Sequence, residues 1–551
     1  MIILSSKFSD GEVFHPICII IAMRIIASME NNGISPLLNF IFNYDVAMSK
    51  LLFAWVEAGD SVKLDKFLNG TNNQNFLDRT NAKGCTPLMK ACSLGQGTVA
   101  RVLLLHHADI SLQDKFGNDA MMFACNGNLE CIKVLLEFNG DVNVRDKFGG
   151  TALMLASMKG YRAIVQLLLE SGADASFKDE KCRSAMTFAV GLGHTSCVLT
   201  LLSYGADING RDTRGQTQLI NAVNYGHSGC VSALCVSGAD LNCQEMQYGA
   251  TALIYACLDG EVTIVRTLLL HGAIVDVQDH AGRTALIVAS SKGWDAAAHC
   301  LLLAGAAVNH QDHIGASALL YASRNGSLAS AQLLVDNGAA VNQVDNSGKT
   351  ALIFASAHGY ASIVAYLLDH DANINSVDKT GYSSLMHAAS QGQSAVVQLL
   401  LQRGAVDGAI DPCHRYNALM LACEGDHTEC VRRLLQNSSN GASCVDILGR
   451  TALLIAVSHR GLTTVEALLE CGTLSIDAQD SCFGLTALMM ASGSDQVDMA
   501  RLLLVHGADR SRQLVDSLGK SAFDYSKSTE MKAVFEEYCE DNSAPSHYIL
   551  K

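Results

Sequence analysis

Residues 279–309 read DHAGRTALIVASSKGWDAAAHCLLLAGAAVN, and most of the chain between residues 80 and 525 repeats this stretch. The position of Thr284 returns as Thr86, Asp119, Thr151, Ser184, Thr217, Thr251, Ser317, Thr350, Ser383, Asn417, Thr451, Thr486 and Ser521, at intervals of 32 to 35 residues. A fixed period of that size marks a solenoid of stacked helical units.

With that position as an anchor, Leu or a substitute follows two residues later, as at Leu88, Leu153, Leu286 and Leu352, and Ala five residues later in thirteen units. These share one helical face, where the small Ala permits close approach of a neighbouring helix. The anchor's own side chain accepts from the free amides of a first helical turn, so it is an N-cap. A Gly nine residues on (Gly95, Gly160, Gly193, Gly226, Gly260, Gly293, Gly326, Gly359, Gly392) ends that helix in the left-handed conformation. A second helix with a core-facing Leu-Leu pair follows and closes on Gly172, Gly205, Gly238, Gly272, Gly305, Gly338 or Gly404. An Asp shortly before a Gly then opens a hairpin-like turn.

Helix, turn, helix and hairpin loop in about 33 residues resembles the ankyrin repeat, over about four fifths of the chain. The resemblance implies an all-α solenoid of paired antiparallel helices with hairpin-like loops, about fourteen repeats plus caps. Residues 1–47 lack the repeat, 48–80 form a degenerate N-terminal capping repeat, 81–515 the array, 516–538 a C-terminal capping repeat and 539–551 a tail. With neighbours roughly 10 Å apart, such an array runs on the order of 140 Å along its path.

Two departures stand out. The family's Thr-Pro-Leu-His signature keeps Pro only at Pro87, and its His is Met, Ile, Leu or Thr throughout, so packing is expected to replace the polar network. Toward the C-terminus the spacing drifts and the mid-repeat Gly slips to Gly425, Gly461 and Gly493, which predicts less regular stacking.

Of the 551 residues 49% are hydrophobic and 17% charged, which excludes a disordered chain. A net charge of −15 leaves no basic surplus for nucleic acid or an anionic membrane, and favours neutral or basic protein surfaces or extended segments. The apolar Ile17–Ile26 is about half a membrane span and contains Arg24, so it reads as a buried helix. A signal anchor or a misplaced start codon are the alternatives.

Cys413, His414, Cys423, His427 and Cys430 imitate a zinc cluster. Yet Cys92, Cys125, Cys257 and Cys423 recur at anchor plus six, and Cys197, Cys230 and Cys430 at plus thirteen, where other repeats carry small core residues. No metal, cofactor, catalytic set or small-molecule substrate is therefore assigned, and free thiols fit a reducing compartment, cytoplasmic or nuclear. The Gly-x-Gly pairs at Gly95 and Gly191 contain or precede the inter-helix Gly and follow no strand, unlike a dinucleotide loop.

Function is thus sought in what varies. By the resemblance, partners meet the hairpin tips and the first-helix side of the concave face. Tip candidates are Phe116, Phe148, Arg183, Arg214, Tyr248, His280, Arg283, Tyr382 and Tyr416; first-helix candidates are Lys159, Tyr225, Lys292, Trp294, Arg324 and His358. Aromatic and Arg side chains at such positions are what interface hot spots are made of. The resemblance also implies that Asn209, Asn242, Asn309, Asn342 and Asn375 are acceptors for an asparaginyl hydroxylase, although a turn hydrogen bond suffices to explain them. The expected function is a non-enzymatic protein–protein interaction scaffold. The alternatives are a recognition or regulatory subunit of a ubiquitin ligase, kinase or phosphatase assembly, and a membrane-tethered scaffold.

Overall fold

Each anchor begins a helix because its side chain satisfies an amide that the first turn leaves free. In the computed structural model, which describes residues 48–69, 76–437, 443–472, 474–508 and 510–541, hydroxyls at ten anchors accept from the amide three residues on, at 3.2–3.5 Å. Asp119 and Asn417 do so at 2.8 and 2.9 Å. Ser317 makes no side-chain cap. The expectations for residues 1–47, with Ile17–Ile26, and for 542–551 lie outside the described residues.

The described residues divide into two compact units, one ending at Ala239 and the other beginning at Asp240. Each is built of antiparallel helix pairs such as Ala285–Lys292 with Asp295–Leu303, stacked on the equivalent pair of the next repeat. All thirteen Ala at anchor plus five are fully buried, which lets first helices of successive repeats pack side by side. Both leucines of the second-helix pair are buried at Leu103–Leu104, Leu168–Leu169 and Leu503–Leu504, whereas in the repeat of Leu301 the second, Leu302, is half-buried. Among the described residues no continuous strand forms, and three isolated antiparallel bridges mark the hairpin loops.

Two expectations change. Where the family's His is missing, the cap is not left to packing alone. The Met89, Met386 and Met489 sulfurs accept from the N-cap amide at 3.4–3.5 Å, and the Thr187 hydroxyl does so at 3.2 Å. Thioether sulfur is a weak acceptor, but here it completes a capping box. The C-terminal repeats also keep their turn geometry. Asp426, Arg460 and Asp495 hold the left-handed position at φ 54°, 63° and 55° that Gly holds elsewhere, so Gly425, Gly461 and Gly493 are neighbours of the turn residue and not displaced copies of it.

At the ends, the helix over 48–58 and Ser61–Asn69 bury Leu52, Val56 and Leu64 completely around a turn at Gly59. After Ser521 the first helix is reduced to a turn, which Asp524 closes by accepting the Ser521 amide at 2.8 Å, and the helix Thr529–Asp541 follows.

Candidate interaction surface

Most hairpin tips are closed by a carboxylate five residues before the anchor, and the first by the Asn81 side chain. One oxygen of Asp279 accepts the Ala281 and Arg283 amides at 2.9 and 2.8 Å, and Asp146, Asp312, Asp345 and Asp446 do the same in their own tips. Where the tip is one residue longer the carboxylate stands six residues before the anchor, as Glu245, which accepts from Gln247 and Tyr248 at 2.6 Å each, and as Asp411 and Asp480.

The second oxygen is met in two ways. Arg183, Arg283 and Arg450, just before the anchor, donate to Asp179, Asp279 and Asp446 at 2.8, 2.9 and 2.8 Å. Tyr321, His387 and Tyr525, four residues after the anchor, donate to Asp312, Asp378 and Asp516 at 2.8, 2.8 and 2.5 Å. Burial pushes the Asp378 carboxyl up, but hydrogen bonds from Thr380, His387 and the Tyr382 amide outweigh it and hold the group below the usual range. Burial likewise lowers His387, against the pull of Asp378.

The tips are joined one to the next. The amides of Lys147, Glu180, His280 and Asn346 donate to the Phe116, Phe148, Tyr248 and Ile314 carbonyls of the preceding tip at 2.7–3.0 Å. A second seam lies along the loops after the second helices. Asn309 donates to the Gly338 carbonyl at 3.1 Å and accepts from the Ala340 amide at 2.7 Å, and Asn342 repeats this with Asp371 and Asn373. Asn242 and Asn375 accept from the Ile274 and Val406 amides. The turn bond expected of these Asn side chains is therefore a bond between repeats, and Asn143 makes the same pair of bonds with Gly172 and Asp174.

A third seam starts at the residue after the inter-helix Gly. His194 and His227 stand there without capping their own helices, and His427 stands at the equivalent place after Asp426. Their Nε2–H donates to the Met158, Gly191 and Ser390 carbonyls of the preceding repeat, each at 3.1 Å. Trp294 occupies the same place and its indole N–H reaches the Leu258 carbonyl at 3.3 Å. These side chains lie over the preceding Gly: a Cβ at Gly160, Gly193, Gly260 or Gly392 would come within 2.6–2.9 Å of them, and one at Gly326 or Gly359 within 2.6 or 2.2 Å of Tyr360 or Gln393 at the same position. Glycine is needed there for the close approach as well as for φ.

Of the candidate contact residues, Phe116, Phe148, Lys159, Arg214, Tyr225, Tyr248, His280, Lys292, Trp294, Arg324 and His358 are exposed, and Arg183, Arg283 and Tyr382 half-buried. Tyr416 differs from the expectation: it is buried, and its hydroxyl accepts from Arg450 at 2.9 Å. Tyr225 stacks on His227 and His358 on Tyr360, at centroid distances of 6.1 and 6.0 Å. The sequence reading passed over Ile314, Leu448, Phe483 and Leu518, exposed apolar side chains at the tip position of Phe116 and Phe148, three residues before the anchor. That shared frame position was the available signal.

The cysteine cluster is dispersed: Cys423 and Cys430 lie in the core, Cys413 and His414 are exposed at a tip, and His427 bridges repeats. Burial pushes the Cys430 thiol up to about 11 and Cys423 higher still, so neither is poised as a thiolate. Among the described residues no helix is long and apolar enough to cross a membrane.

In comparisons with known proteins, overlapping matches described as "Ankyrin repeats (3 copies)" run from residues 19–146 through to 385–480, and an "Ankyrin repeat" match covers 483–513. A curated relative, the B-cell lymphoma 3 protein homolog of Mus musculus, is 35% identical over 104 residues, 18% of this chain. The matched stretch spans 23% of that relative's length.

Proposed function

The chain belongs to the ankyrin-repeat family, and from that premise we propose that it is a non-enzymatic scaffold that binds partner proteins through its hairpin tips and first helices. One observation supports this most. The recurring polar side chains of the tips, loops and inter-helix turns bond within or between repeats, as tip carboxylates, Asn bridges and the His and Trp staples. The side chains left exposed on the tips and first helices are those that change from repeat to repeat, among them Phe116, Phe148, Arg214, Tyr248, Lys292, Arg324 and His358. A rigid frame with variable aromatic and cationic positions suits recognition of other proteins.

Proximity labelling with the full chain in its native cell tests this. Specific protein partners are expected, with recovery reduced by Phe116→Ala combined with Phe148→Ala or by Arg324→Ala combined with His358→Ala. Substrate turnover by the purified chain without any protein partner would overturn it.

A further inference from the structure

We infer that the cleft between the tip and first helix of the repeat anchored at Thr350 receives an acidic side chain from an extended segment of a partner protein. This rests on the protein-binding reading above and adds the partner's charge, which the chain's net −15 does not suggest.

The cleft encloses about 330 Å³, and Arg324, Lys349, Ile353, Phe354, His358 and His387 are among its lining residues. Phe354 forms its half-buried floor. The Arg324 guanidinium and the Lys349 ammonium each lie 5.9 Å from the centre of that ring. Two cations therefore converge on one aromatic ring, and neither has a carboxylate ion-pair partner among the described residues. Lys349 holds the frame position from which Arg183, Arg283 and Arg450 turn back onto their own tip carboxylates. Here the cation faces the ring instead.

The nearby acids are held by donors other than the two cations. Asp345, which also lines it, has one oxygen accepting from the Ser347 amide and hydroxyl and the Lys349 amide, at 2.8, 2.7 and 2.9 Å. Asp378 is covered, with 1% of its side chain exposed, and receives His387 and Thr380. Asp312 is buried and receives Tyr321. Arg324, in contrast, is exposed, and the imidazole of His358 beside it donates to the Phe354 carbonyl and keeps its other nitrogen outward from that bond. Lys292 extends the basic row one repeat further, and Asp259 and Glu424 bound it, so the cationic stretch is confined to three repeats.

A carboxylate entering here meets a forked guanidinium and an ammonium, while its methylene stem lies against the half-buried Phe354. Desolvation by the aromatic floor strengthens such pairs relative to an open surface. The occupant is extended because one repeat offers room for one side chain, and continuing contact requires the segment to run across the stack.

Fluorescence anisotropy with the full chain and two labelled peptides of equal length, one alternating Glu with Leu and the other Gln with Leu, provides the test. The Glu peptide is expected to bind saturably and more weakly as salt rises. R324E combined with K349E should weaken it by about tenfold or more, with circular dichroism unchanged, and R324K with K349R should retain most of the binding. Reversal of two remote exposed lysines, K527E with K532E, should leave it unaltered. Equal binding of the Gln peptide, no binding of the Glu peptide, or indifference to R324E with K349E would overturn the inference. A cellular partner that binds the native chain and R324E/K349E equally would do so while sparing the scaffold reading; failure to label any partner would instead remove the scaffold reading.

Discussion

Two glycines of the second unit offer a controlled test of how the repeats are fastened. Gly260 and Gly293 have nearly the same backbone, φ 73° and 72°, and end equivalent helices. They differ in what the next repeat lays over them. A Cβ at Gly260 would sit 2.7 Å from the Trp294 indole, whereas one at Gly293 would meet only the Ser327 hydroxyl at 3.4 Å, an ordinary contact. Alanine at Gly293 should therefore cost only the left-handed conformation, about 1 kcal/mol. Alanine at Gly260 adds displacement of the indole and loss of its 3.3 Å bond to the Leu258 carbonyl, for a total of about 2–3 kcal/mol. Urea unfolding followed by far-ultraviolet circular dichroism measures the difference. Amide exchange in Ala252–Asp259 and Asp295–Leu303 localises it, since long repeat arrays can unfold in parts. Gly260→Ala combined with Trp294→Ser should cost less than the separate losses added together, because the clash is gone. Equal losses at the two glycines, or strict additivity in the double variant, would refute the staple.

Three further outcomes follow from the same geometry. Burial raises the Asp119 carboxyl from 3.8 to about 6; the folded state then holds a proton that the unfolded state has lost between these values, so this site's contribution to stability falls as pH rises from about 4 to 6. Asp119→Thr should gain on the native chain by on the order of 2 kcal/mol above pH 6 and lose that advantage below pH 4, read from thermal midpoints across the range. Asn309→Ala removes both bonds of an inter-repeat bridge and should cost about 1 kcal/mol in urea unfolding, because the exposed site lets water replace part of them. Maleimide labelling of the native chain, mapped by mass spectrometry, should modify the exposed Cys182, Cys413 and Cys482, and reach buried Cys92, Cys257 and Cys423 only in denaturant.

What the sequence made legible is what one segment of chain decides alone. A capping hydroxyl, a left-handed Gly and a helical stripe of Leu and Ala each follow from neighbours within about one or two turns, and the period then multiplies them. The functions of Trp294, His194 and Asn309 were not legible in the same way, because their partners lie in a different repeat: His194 reaches back 36 residues and Asn309 accepts from an amide 31 residues ahead. Nor could frame position say whether a cation would turn onto its own tip, as Arg283 does, or onto a neighbouring ring, as Lys349 does. The overall charge was no guide to that local excess.

The C-terminal glycines show why a broken pattern is not a broken structure. A Gly in the left-handed position elsewhere makes room for the next repeat's staple, as Gly392 does for His427. In the following repeat Asp426 takes that conformation, and the staple position one repeat later is Gly461, whose added Cβ would lie 2.3 Å from an Asp426 oxygen. Side chain and hydrogen have changed places across the interface. Asp426 then uses the space to accept from the Thr464 hydroxyl at 2.6 Å, which offsets part of the strain of a non-Gly residue at positive φ. The stacking contact survives with its polarity reversed, so the unit that the chain preserves is the pair of positions facing each other between repeats, and a single-repeat consensus records only half of it.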